Sequence, residues 1–238
     1  MSPTPSELEA LISTRSAWHS LAEHVLAVDL HRATGKIGLR PLPGGFGQPE
    51  YFVAATGAAD AGPGQRRRLR VDGDHLVILS GDAERWHPLT TLGAALELAG
   101  LEPGAATGAF EATSRSGADL DVSVDPIAAR SLADWFTFVS AALEVLRRRH
   151  AETLPSIVQL WPEHFDAACS FAEINFGGSP GDAGRPEPYL YVGPWSAIGD
   201  DPFWNESYGA ARSRSDVAGL EEAVGFFEEG LERSISQR

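Results

Sequence analysis

The sequence is poor in cysteine, methionine and positive charge. Its one cysteine, Cys169, leaves no partner for an intramolecular disulfide. It also rules out a cysteine-rich zinc cage, which needs at least two closely spaced thiolates. Within AACSFA this thiol reads as a small buried apolar group, since no histidine lies at obvious pairing distance along the chain. Lys+Arg number 19 against 33 Asp+Glu, a formal net charge of −14. A surface so acidic repels phosphate, so nucleic acid and anionic membranes are not expected partners. No apolar run approaches the ~18 residues that span a bilayer. MSPTPSELEALIS at the start has neither the basic nor the apolar region of a secretory leader. The expected location is the cytoplasm.

Several motifs are absent as well. GGFG at Gly44–Gly47 is glycine-rich but is followed by no GK[ST] and opens no GxGxxG helix. There is no HExxH or EF-hand loop, so no cofactor is implied. His24 and His31 align on one helix face, but seven residues is about 10 Å of axis, too far for one ion. His19 and Glu23, four apart, can meet on one face.

What is present suits one globular domain over 1–238. Of the 238 residues 43% are hydrophobic, and a chain of this length buries about 70–75% of its unfolded surface. Leu8, Leu11, Trp18, Leu21, Val25 and Val28 recur at helical spacing and predict a helix over 6–32, with Pro5 and Ser6 starting it and Gly35 ending it. Strands follow at 36–41 and 51–57, around a turn cluster at 43–50, and a loop at 57–65. RRRLRV and HLVILS around DGD read as a hairpin. A short helix over 89–99 is capped by Thr90 or Thr91, and 102–124 is irregular with weak strand character. Asp125-Pro126 opens a second long helix with Leu132, Trp135, Phe136, Val139, Leu143 and Leu146 inward. Strands are predicted at 156–161, 166–176 and 188–195, then a polar irregular stretch over 198–214. A last amphipathic helix from about Asp216 carries Val217, Leu220, Val224, Phe227 and Leu231. The order helix, strand, turn, strand occurs twice, from Trp18 and from Trp135, which suggests pseudo-repeat halves 6–124 and 125–238. The expected fold class is α+β, with an antiparallel or mixed sheet packed by long helices.

Polar chemistry concentrates between Gln159 and Trp195. His164 there is accompanied by Glu163, Asp166, Glu173, Asp182 and Glu187, with Asn175, Tyr189 and Tyr191. In an extended strand His164 and Asp166 share one face, while Phe165, Ala167 and Cys169 take the other. A histidine beside a carboxylate can move protons near neutral pH, or could hold a divalent metal. The spacing is not a recognised metal motif, so no metal ligand is assigned. The competing reading is structural. Trp161 and Phe165 are buried, Asn175 and Asp182 form turns, and Tyr189 and Tyr191 sit at the core edge with solvated hydroxyls.

The strings LWPEHFD, EINFGGSPGD and PEPYLYV resemble the C-terminal signature of a bacterial family known only as a domain of unknown function. That family carries WP-x-HFD, then NFG-x-S/T-GD, then PEPY-x-YV. The likeness extends more loosely over residues 15–195, and this chain has a shorter connection between HFD and EINFG. By the resemblance, His164, Asp166, Glu173, Asn175, Asp182, Glu187 and Tyr189 fall on motif positions. The family has no established activity, so the likeness marks a place and names no reaction.

The expectation is a small-molecule binder or a hydrolytic or proton-transfer enzyme, with catalysis itself left open. Its catalytic groups would be His164, Asp166 and Glu173. Its ligand-binding groups would be Trp161, Asn175, Phe176, Asp182, Glu187, Tyr189 and Tyr191. The alternative is a non-catalytic interaction or scaffold protein. It would use the C-terminal helix, which could seat a homodimer, or an aromatic patch of Trp195, Phe203 and Trp204.

Overall fold

A computed structural model of the protein describes residues 4–53, 64–105 and 107–236. The loop expected at 57–65 lies, for residues 57–63, outside the described residues.

Thr4 starts the first helix through a reciprocal capping box: its hydroxyl accepts from the Glu7 amide (3.3 Å) while the Glu7 carboxylate accepts from the Thr4 amide (2.7 Å). The helix runs as α1 (Pro5–Leu21), a π-helical turn (Ala22–Leu26) and α2 (Ala27–Thr34), and left-handed Gly35 closes it. Six strands follow: β1 (Arg40–Leu42), β2 (Gly45–Gly47), β3 (Tyr51–Val53), β4 (Gln65–Asp72), β5 (His75–Ser80) and β6 (Ala83–Pro88). They make an antiparallel sheet in the order β1-β2-β4-β5-β6, with β3 also paired to β4. After α3 (Leu92–Ala99) the chain is irregular until Asp125, whose carboxylate caps α4 (Pro126–Arg149) through the Ile127 and Ala128 amides. The second sheet contains β7 (Gln159–Trp161), β8 (Asp166–Phe171), β9 (Ile174–Ser179), β10 (Tyr189–Pro194) and β11 (Ala210–Ser213), adjacent in the order β11-β10-β9-β8-β7. Helix α5 (Leu220–Ser236) ends the described chain.

The fold is therefore α+β with antiparallel strands, as the patterning implied, but the strands form two sheets. Helix α4 lies against strands of both, α1 packs beside it, and α5 covers β9 and β10. The sheets meet where Leu39 and Leu160 exchange both backbone hydrogen bonds (2.9 and 3.0 Å). Beneath that bridge Phe46 and Phe165 pack edge to face at 5.2 Å, Trp18 against the former and Phe136 against the latter. One contiguous apolar core runs through both halves.

Four local expectations need correction. Residues 166–176 are not one strand but two, turned at Ala172 and Glu173, which both take positive φ. No glycine or asparagine marks that turn, so it was invisible as one. β6 (AERWHP) lacks strand signal because it is polar and exposed, and β11 (AARS) because it is only four residues with small side chains. The stripe on α5 faces inside the chain: Val224, Phe227 and Leu231 are buried, as is Val217 just before the helix. Only Leu220 is exposed, so the seam expected for a homodimer is already covered. The proposed aromatic patch is divided too, since Trp204 is buried and Phe203 lies under the Arg233 guanidinium.

Candidate functional site

One face of the second sheet packs on α4 and α5. The opposite face walls a cavity of about 710 Å³, within the range of small-molecule sites. His164 reaches it from a turn, not from an extended strand. Pro162–Phe165 reverse the chain between β7 and β8, with the Phe165 amide bonded to the Trp161 carbonyl at 2.8 Å. Phe165 takes φ 51°, a left-handed conformation that costs a bulky residue about 1–2 kcal/mol. Full burial of its ring, about 1.5–3 kcal/mol, offsets that strain. The anchored ring stacks on His19 at 5.3 Å. Glu163, His164 and Asp166, on either side of it, all line the cavity. The polar and apolar sets thus separate as expected, by a different backbone route.

Asp166 is 6% exposed. Its Oδ2 accepts a hydrogen bond from the Tyr191 hydroxyl, while Oδ1 is buried with no partner. Burial raises the Asp166 carboxyl above the ordinary aspartate range; the Tyr191 hydroxyl and His164 only partly oppose it, and Glu163 adds to it. Tyr191 reaches this position because residue 177 is glycine. The two are paired across β9 and β10, and a Cβ at Gly177 would lie 2.5 Å from the Tyr191 ring and hydroxyl. The glycines of EINFGGSPGD therefore serve close approach by the protein's own side chains; Gly178 does the same for Trp135 and Val139 of α4.

A second tyrosine–aspartate pair flanks the first. Tyr189 donates to Asp182 Oδ2 at 2.6 Å, and Asp182 Oδ1 accepts from the Gly184 and Arg185 amides at 2.8 Å. Burial pushes the Asp182 carboxyl up, but Tyr189, those amides and Arg15 outweigh it and hold it below the usual range. Arg15 from α1 straps this loop by donating to the Pro180 and Pro186 carbonyls. Both phenols are pushed up, first by burial and then by their aspartates, so they serve as hydrogen-bond donors and not as bases. Their hydroxyls are thus not solvated, contrary to the structural reading of the sequence. Asn175 Oδ1 accepts from Ser170 (2.8 Å) and from the Trp195 indole (2.9 Å), which fixes Trp195 at the cavity while leaving it 66% exposed.

Of the residues singled out from sequence, His164, Asp166, Asn175, Asp182, Tyr189 and Tyr191 line this cavity. Four do not. Phe176 is fully buried between Phe171 and Phe227, because as a β9 residue it alternates to the helix side. Glu173 sits exposed in the β8–β9 turn, where its carbonyl accepts from the Trp195 amide. Trp161 lines an adjoining hollow of about 240 Å³. Glu187, half-buried before β10, lies on neither wall. His19, Thr113, Ser179 and Tyr208 line the cavity without having been assigned to it. His19 and Thr113 come from distant segments, and no local pattern could have placed them there.

His19 Nε2 stands 3.5 Å from Glu23 Oε1, so the two side chains meet on one helix face as expected. Glu23, on the π-helical turn, also accepts from the Thr113 (3.0 Å) and Ser114 (2.7 Å) amides. Burial would raise its carboxyl; His19, Ser114 and the amides overcome that and bring it to about 2. Glu23 therefore pins the irregular segment that carries Thr113 to the cavity. Cys169 is buried and its thiol is pushed up to about 12, chiefly by burial, which makes it inert as a nucleophile. Among the described residues no three His, Cys, Asp or Glu side chains are grouped to hold a metal ion, and no helix is long and apolar enough to cross a membrane. No protein-family model, curated protein or solved structure matches the chain.

Proposed function

We propose that the protein binds a small molecule in this cavity and that Asp166, with His164 beside it, transfers protons to or from it. The carrying observation is the buried Asp166 carboxyl, half satisfied by Tyr191 and half unpaired, at the wall of a ligand-sized hollow. A buried polar atom without a partner costs about 1–3 kcal/mol, and a ligand group that bonds it recovers that. A carboxyl raised by burial is suited to general acid–base work. His164 is solvent-exposed at the same wall and can exchange the proton with water. The resemblance of LWPEHFD, EINFGGSPGD and PEPYLYV to a bacterial family supports the same segment as the working part. Glu173, away from the cavity, is not part of this reading.

The test is a library of small metabolites followed by thermal unfolding and ligand-observed NMR. A true ligand raises the melting temperature of the wild type. Asp166→Asn and His164→Ala abolish the shift, and His164→Ala leaves the unliganded melting temperature unchanged. Ligands that bind both variants as well as the wild type would overturn the reading.

A further inference from the structure

The same cavity has a charge character that narrows its ligand, and this inference rests on the small-molecule reading above. Three carboxylates line it, Glu163, Asp166 and Asp182, and no lysine or arginine does among the described residues. Of the two imidazoles present, His19 is drawn toward Glu23, and His164 stands exposed. The nearest guanidiniums are engaged elsewhere. Arg15 is held by two carbonyls, and Arg185 pairs with Glu206 while covering the Tyr189 ring. Two carboxylate oxygens at the wall, Asp166 Oδ1 and Glu163 Oε2, are buried without a hydrogen-bond partner. Each needs a donor that the protein does not supply. Around them stand the aromatic rings of Tyr191, Tyr208 and Trp195, the first two edge to face at 6.5 Å. Exposed aromatic faces beside carboxylates attract cations by their ring quadrupoles as well as by charge.

We propose that the cavity selects a small organic cation bearing N–H groups, a primary ammonium or a guanidinium, which donates to Asp166 Oδ1 and Glu163 Oε2 and lies against Trp195 and Tyr208. A bare metal ion does not fit this wall, where among the described residues no grouped ligands stand to hold one. A quaternary ammonium meets the rings but leaves both oxygens unpaired. An anion meets the like charge of the wall, and a neutral acceptor leaves both carboxylate oxygens without a donor.

Five probes of similar size separate these cases: phenethylamine, benzamidine, phenethyl alcohol, phenylacetate and phenyltrimethylammonium, titrated by saturation-transfer NMR and calorimetry. Phenethylamine and benzamidine should bind at least about tenfold tighter than the alcohol and the carboxylate, with phenyltrimethylammonium between. Asp166→Asn and Glu163→Gln should each remove that preference, while Glu187→Gln, outside the cavity, should keep it. Glu163 is only half-buried, so its variant still reports if Asp166→Asn folds poorly. The cation inference is overturned if the alcohol binds as well as the amine, if the preference survives both variants, or if no probe binds. Phenylacetate binding that is lost in Asp166→Asn would also overturn it, yet would leave the small-molecule reading standing. Ligands of any class unaffected by Asp166→Asn would remove both.

Discussion

The two sheets each bury a tyrosine–aspartate pair, and the pairs are finished differently. In the N-terminal half Asp29 on α2 accepts from Tyr51 (2.5 Å), from Gln48 (2.9 Å) and from Arg67 (2.9 Å). Gln48 then closes the network by accepting from the Leu69 amide at 2.7 Å. Both carboxylate oxygens are used, and a cation neutralises the charge. In the C-terminal half Asp166 receives Tyr191 on Oδ2, keeps Oδ1 unpaired, and faces a hollow. The first arrangement holds β3 and β4 to the helix. The second leaves binding capacity unspent. Buried carboxylates differ in role by whether the protein completes their partners, which residue identity alone does not reveal.

The sharpest way to break the comparison is to remove the completed cluster. Asp29→Ala strands Arg67, Tyr51 and Gln48 and should cost about 4 kcal/mol, as expected when one partner of a buried ion pair is deleted. Urea melts would show it. A loss below about 1 kcal/mol would mean that the cluster is no more structural than the open one.

Glu23 sharpens it from a second completed site. Its carboxyl lies near 2 in the folded protein, below the ordinary value of about 4.3. It therefore contributes stability that is present above about pH 4.3 and lost as pH falls toward 2. The contribution is about 3 kcal/mol at neutral pH. Glu23→Gln should flatten that acid limb in melts taken between pH 2 and 5, and should loosen the segment around Thr113.

Gly177→Ala attacks the open pair. The new methyl displaces the Tyr191 ring from Asp166, an overpacking change of about 1–3 kcal/mol. The stability loss should be matched by loss of ligand binding, because Tyr191 can no longer orient the carboxyl. Retained binding would show that Asp166 does not need its tyrosine.

These differences explain how much could be read from the letters. Helix starts were legible because Pro5 and the Asp125-Pro126 pair are local signals. The α+β class followed from apolar periodicity. The segment 159–195 stands out because histidine, carboxylates and tyrosines crowd there, and six of the ten site residues assigned to it do meet at one cavity. What escaped was set by distance or by alternation. His19 and Thr113 reach the wall from elsewhere in the chain. The Ala172–Glu173 turn carries no turn residue, so strand register was lost there, and with it the inward assignment of Phe176 and the outlying place of Glu173. Of four tyrosines, three donate to an aspartate, a pairing written nowhere in the sequence because Asp29 and Asp166 each lie more than twenty positions from their tyrosines.

The smallest expected effect is the most telling. Asp166→Asn should change stability by no more than about 1 kcal/mol at neutral pH, in contrast to Asp29→Ala, because only one hydrogen bond is at stake and a buried charge is removed. Its sign depends on pH. The folded carboxyl holds its proton more tightly than the unfolded one. Below about pH 4 both states are protonated and the carboxyl imposes no ionisation penalty. As pH rises past that value the unfolded chain ionises first, so the wild type loses stability relative to the variant until the folded carboxyl ionises as well. Denaturation of both proteins from pH 3 to 8 should therefore show the variant gaining on the wild type with rising pH, the reverse of the trend at Glu23. A variant that instead falls behind as pH rises would mean that Asp166 is ionised and stabilising in the empty protein, against the effect of burial on which its acid–base role rests.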